Sequence, residues 1–234
     1  MAISSQSDPD LRNSIRRTRL AIIPVGSLEQ HGPHLPVSTD SIIVEKIAMV
    51  LSERVNCFVL PTIQYGISFE HKPMFNVSVS SSTLIALLRD SCISLAEAGI
   101  KQVIVLNGHH GNSGALQYIA QELQGKTEKD ITVHSINYWQ MMQAEFDHAG
   151  EIETSLVLAI APELVKMGKA EPNAKKLSKS KAAYRSITCV PGSFPEITGN
   201  GVWGDPRKAS ADKGRKLIEE VVEKLERTVA ELFE

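Results

Sequence analysis

Leu20-Ala-Ile-Ile-Pro-Val25 runs directly into Gly26-Ser-Leu-Glu-Gln-His-Gly-Pro-His-Leu-Pro-Val-Ser-Thr-Asp40, and an apolar helical pattern begins at Ser41. The opening six residues are almost wholly apolar. A strand of that kind suits the inside of a parallel sheet, where helices cover both faces. Working outward, Cys57 to Ile63, Gln102 to Leu106 and Ile131 to Ile136 read as further short strands. Helical spacing fills the gaps: Ser41 to Val55 carries Ile42, Ile43, Ile47, Val50 and Leu51, and Ser82 to Ala98 carries Leu84, Leu87, Leu88 and Leu95. Asn112 to Leu123 carries Leu116, Ile119, Ala120 and Leu123. This alternation predicts an α/β sandwich. Ile152 to Val165 reads as a helix, and Lys208 to Phe233 as a long amphipathic one. Between them, Lys166 to Arg185 is loop-like with seven Lys or Arg, either a solvated surface loop or a mobile lid or subunit contact, and Pro191 to Pro206 is rich in Gly and Pro.

The length of 234 residues suits one domain, 1–234, with residues 1–18 as a polar N-terminal extension. A formal charge of −2 excludes the basic excess of a dedicated nucleic-acid binder, and 5% aromatics leave few stacking platforms for single strands. Cys57, Cys92 and Cys189 form no CxxC pair and no metal-type spacing, so reduced, buried thiols in a cytoplasmic setting are expected. No signal-peptide pattern opens the chain, and no run reaches the ~18 apolar residues of a membrane span.

Histidines and acids collect in short turns after the predicted strands, which in open α/β sheets is the edge where ligands bind. Glu29 and His31 are two apart, so an extended backbone directs both to one side. Asp40 sits at the start of the next helix, where alone it would serve equally as a helix cap. The turn Asn107-Gly-His-His-Gly-Asn112 places His109 at the same edge, while the adjacent His110 diverges. His148-Ala-Gly-Glu-Ile-Glu-Thr-Ser155 adds His148 and Glu153 near a helix start. Mixed carboxylate and imidazole donors favour Zn, Mn or Fe(II) over Mg or Ca. GxSxG, GxGxxG after the first strand, GxxxxGK[ST] and HExxH are all absent. Metal-assisted hydrolysis fits best. A metal-binding module without turnover is the alternative of another class, though structural zinc sites are usually closed and Cys-rich.

GSLEQHGPHLPVSTD, NGHHGN and HAGEIETS, with GNGVWGDP as a weaker late signature, resemble the creatininase family from about Leu20 to the C-terminal helix. The resemblance implies a three-layer α/β/α fold with a mostly parallel sheet, two divalent ions per chain and a homo-oligomer, usually a hexamer. It implies that Asp40 bridges the ions, that Glu29 and His109 complete one site, and that His31 binds the other. Creatininase takes a further ligand from a Glu where this chain has Gly111, and relatives with glycine there use the acid that is Glu153 here. His148 is implied as the substrate-facing or proton-transfer histidine, with His110 as a further substrate contact. The resemblance extends to amide substrates: first the formylamino-pyrimidine ribosyl phosphate cleaved by archaeal deformylases of riboflavin and deazaflavin biosynthesis, then a mycofactocin-type peptide, then creatinine. A phosphorylated small molecule needs a cation near the pocket mouth, for which Lys72 is the candidate and Arg207 the reserve.

Overall fold

Every residue of β1, Leu20–Val25, is buried, and its side chains alternate between two separate cores. The computed structural model describes residues 2–145, 147–173 and 193–233. The strands β1, β2 (Phe58–Val59), β3 (Gln102–Asn107) and β4 (Thr132–Asn137) form one sheet in the order β2-β1-β3-β4, with every pair parallel. Leu20 and Ile22 of β1, with Ile104 and Leu106 of β3, pack into one core. Ala21, Ile23 and Val25, with Val103 and Val105, pack into the other. That split is the period-2 alternation of a strand covered on both faces.

The helices are α1 (Asp8–Ile15), α2 (Thr39–Arg54), α3 (Ser81–Ala98), α4 (Ser113–Leu116), α5 (Ile119–Glu122), α6 (Glu151–Ile160), α7 (Ser193–Thr198) and α8 (Ala211–Phe233). Residues of α2, α6 and α8 fill the first core, and residues of α1, α3, α4 and α5 the second. The result is the expected α/β/α sandwich. Among the described residues no helix is long and apolar enough to cross a membrane.

Several boundaries differ from the sequence reading for local reasons. The strand expected over Cys57 to Ile63 shrinks to β2, because Pro61 has no N–H to continue the ladder. Leu60 and Ile63 still donate to Ile22 and Pro24 of β1. The helix expected over Asn112 to Leu123 breaks at Tyr118, whose φ of −104° and ψ of 5° leave the helical region. The helix expected to reach Val165 stops at Ile160, just ahead of Pro162. The N-terminal segment is more than a polar extension: α1 delivers Ile15 into the second core. Cys57 and Cys92 are buried, and burial pushes their thiols up to about 11 and about 12. Cys189, Lys175, Lys176, Lys179, Lys181 and Arg185 lie outside the described residues.

Helices α6 and α8 cross where Gly214 lies against the backbone of α6, so an added Cβ would collide with the carbonyl of Ser155 and come within 2.8 Å of the Ala159 Cβ. Gly214→Ala is therefore expected to lower stability by about 1–3 kcal/mol from overpacking, although alanine is the better helix former. Urea denaturation checks this, and an equal or higher midpoint would show that the crossing has slack.

Candidate metal centre

The carboxyl ends of β1 and β3 place two turns side by side. After β1, the Glu29 N–H donates to Val37 and the Gln30 N–H to Phe75, with Glu29 bridged to Asn76 in antiparallel fashion. This extended segment puts Glu29 and His31 into the same buried space. Asp40 lies in the first turn of α2, but its carboxylate does not cap the helix. Its Oδ1 lies 3.1 Å from His31 Nε2 and its Oδ2 lies 3.0 Å from His109 Nδ1. Gly108 permits the second approach, since a Cβ there would come within 2.8 Å of the Asp40 carbonyl and 2.7 Å of the Val44 Cβ.

A third turn leads into α6, which packs with α2 in the first core. His148 exchanges backbone hydrogen bonds with Trp203 at 3.1 and 2.7 Å, which explains the late GNGVWGDP signature. Asp147 accepts from the Ile152 N–H of the first turn of α6 at 3.0 Å. Glu153 folds back to accept from the Ala149 N–H at 2.6 Å, and its Oε2 lies 3.6 Å from His31 Nε2. The first motif also grips this helix through His34 Nε2, 2.9 Å from the Thr154 hydroxyl.

Glu29, His31, Asp40, His109, His148 and Glu153 thus meet, as the sequence reading places them. His71, in the turn after β2, escapes that reading, although it also follows a strand at the binding edge. Its Nε2 lies 3.1 Å from Glu29 Oε1, and the Gln30 amide donates to its Nδ1 at 2.9 Å. Gln30 also reaches His148 Nε2 at 3.2 Å. His110 is exposed, lies 5.9 Å from the Trp139 ring and lines the same cavity as the cluster. Lys72 is not brought to the site: its ammonium lies over the Phe69 ring and its side chain is exposed. Arg207 is paired with Asp205 at 2.7 Å. Neither lines the cavity of about 620 Å³ that opens on the cluster between Trp139, Phe194 and Trp203.

The electrostatics follow from three buried acids packed among imidazoles. Burial pushes Glu29 and Asp40 up, yet His109 with His71, and His31 with His109, outweigh it and hold both carboxyls below their ordinary values. Burial opposes charge on His31 and His109, but the facing carboxylates raise both to about 10. Glu153, whose burial is only partly offset by His31, is pushed up to about 8. His148 is lowered well below its usual value by burial and by His31 and His71.

The donor set fits divalent ions. His31 Nδ1–H donates to the Glu29 carbonyl at 3.1 Å and His109 Nε2–H to the Ile67 carbonyl at 2.9 Å. Each ring's other nitrogen thereby faces the carboxylates, the orientation that ligating histidines need. Glu29 Oε1, Asp40 Oδ2 and Glu153 Oε1 are buried without a directed hydrogen bond. Three groups, Glu29–His31–Asp40, His31–His148–Glu153 and Glu29–His71–His148, each bring their ligand atoms within 4.8 Å of one another.

A family model described as creatininase, creatinine amidohydrolase, matches residues 4–229. The chain belongs to the creatininase family. A mycofactocin precursor peptide peptidase of Mycobacterium ulcerans (strain Agy99) is 31% identical over 86% of this chain and 81% of the relative. A 2-amino-5-formylamino-6-ribosylaminopyrimidin-4(3H)-one 5'-monophosphate deformylase of Methanothermobacter marburgensis is 28% identical over 66% and 65%. A crystal structure of creatinine amidohydrolase superposes with a TM-score of 0.83 at 24% identity, covering 99% of this chain and 97% of that one, which supports the fold. As a creatininase-family member, the protein is a metal-dependent hydrolase acting on carbon–nitrogen bonds.

Without metal, protonated His31 and His109 balance the acids. Their ordinary value is 6.5 and their folded value about 10, so the stabilisation is complete below pH 6.5 and lost as pH climbs toward 10. The melting temperature of metal-free protein should therefore fall across that window, and fall less in His31→Gln. A flat profile would show that the two imidazoles are not charged in the empty fold.

Proposed function

We propose that the protein is a dinuclear amidohydrolase in which Asp40 bridges two divalent ions, Zn, Mn or Fe(II). Glu29 and His109 would complete one site, and His31 with Glu153 the other. The observation that carries this reading is the division of the Asp40 carboxylate: one oxygen faces His31 and the other His109. Bound there, the ions would supply Lewis acidity to the amide carbonyl and a more acidic water.

The chain's own groups do the rest. His148, neutral near pH 7 because its pKa is depressed, can accept a proton at the cavity wall and return it to the departing nitrogen. Gln30 fixes the rings of His71 and His148 through its single amide. Trp139 and Phe194 give the cavity an apolar wall beside the cluster.

For the substrate, the cavity favours a compact amide without a phosphate, since among the described residues its lining contains no Lys or Arg. A phosphorylated formylamino-pyrimidine is the second reading, favoured by the similarity to the deformylase. Assembly as a homo-oligomer belongs to the same proposal, supported by the exposed Tyr65, Phe75 and Val77.

Chelation is expected to abolish amide hydrolysis, and Mn, Zn or Fe(II) to restore it. Asp40→Ala should lose both ions by elemental analysis, whereas Glu153→Gln should deplete one. Full turnover by metal-free protein would sink the dinuclear reading, and Asp40→Ala protein holding two ions per chain would remove the bridge. Formate release from the phosphorylated formylamino-pyrimidine, measured beside creatinine and simple amides, ranks the substrates. A clear preference for the phosphorylated compound would put it ahead of the compact, phosphate-free amides.

A further inference from the structure

Glu70 is a buried carboxylate for which the proposed hydrolysis has no use. It lies in the turn Phe69–His71, is 8% exposed and faces the catalytic cavity. Among the described residues its carboxylate forms no ion pair within 4.0 Å, its nearest charged neighbours being the imidazoles of His109 and His71. It belongs to none of the three groups whose ligand atoms converge. Burial raises the pKa of this acid, and the neighbouring imidazoles of His109 and His71 offset that only in part, so a site that keeps it without an ion pair is suited to a ligand that brings a cationic partner.

The neighbouring backbone is shaped around this acid. A Cβ at Gly111 would sit 2.9 Å from Glu70 Oε1 and 2.6 Å from His109 Nε2, and would collide with the Ile67 carbonyl. Gly111 therefore leaves open the space in which the Glu70 carboxylate stands beside His109. No Lys or Arg of the described lining competes for it. Trp139, Phe194 and Trp203 line the same cavity, and aromatic faces are favourable surroundings for a cation.

We propose that Glu70 is a specificity-determining residue that receives a cationic N–H group of the substrate, an ammonium or amidinium close to the scissile amide. This inference rests on the cavity being the substrate site of the amidohydrolase. It narrows the substrate class to amides that carry such a nitrogen. The contact is a charge-assisted hydrogen bond in a water-poor pocket, where orientation toward the carboxylate also aligns the amide with the metal cluster.

The test uses two amides of nearly equal shape, glycinamide and propionamide, which differ in an ammonium against a methyl group. Binding to the metal-loaded protein is measured by calorimetry and hydrolysis by ammonia release. Wild-type protein should bind glycinamide about tenfold more tightly than propionamide, the scale of one hydrogen bond to a charged group. Glu70→Gln should abolish that preference with metal content unchanged, and Glu70→Asp should recover part of it. Equal affinities in the wild type, including no detectable glycinamide binding, would overturn the proposal, as would a preference that survives in Glu70→Gln. Absence of ammonia release with the binding preference intact would count against the amidohydrolase reading and leave the role of Glu70 standing.

Discussion

Three carboxylates buried within one small volume are the constraint on which the rest of this structure depends. Glu29, Asp40 and Glu153 are at most 2% exposed, and together they would repel one another strongly in a medium of low dielectric. Relief comes from protons on His31 and His109 and on Glu153 itself, or from metal ions held by the same residues. Removing that charge leaves uncompensated anions in the core, which is why the site and the stability of the fold are one problem rather than two.

The scaffold answers by bringing imidazoles together with the acids from separate parts of the chain to one edge. The first turn after β1 supplies an acid and an imidazole, α2 supplies the second acid, and the turn after β3 supplies the second imidazole. Glycine at position 108 allows backbone contact between that turn and α2. Helix α6, packed in the same core as α2, brings the third acid and is held there by His34 and by α8. None of these groups lies on the sheet itself, and the sheet fixes where the turns begin.

Much of this was legible in the sequence. The apolar runs of β1 and β3 are strong signals because both faces are buried, so no polar residue interrupts them. The two-residue spacing of Glu29 and His31 translated directly into a shared direction. Other features were hidden because they depend on neighbours distant in the chain. His71 gains meaning only when Glu29 and Gln30 come beside it. Lys72 is adjacent to His71 in sequence, yet its side chain turns onto Phe69, since a chain position gives no direction. The break at Tyr118 and the shortening of β2 reflect local backbone geometry that hydrophobic spacing does not register.

The paired backbone hydrogen bonds between His148 and Trp203 have a consequence for the order of assembly. The sheet is complete once β4 has been made, because its four strands all precede residue 138. The third wall of the metal centre, by contrast, waits for Trp203 to fix His148 and for α8 to cover α6. During synthesis, a nascent chain would carry a sheet and the two turns that follow β1 and β3 before the candidate centre was closed. That intermediate would already hold Glu29, His31, Asp40, His71 and His109, but neither His148 nor Glu153. On the proposed dinuclear reading, the site that takes Glu153 is therefore completed only at the last stage of folding, when the C-terminal helix docks over α6.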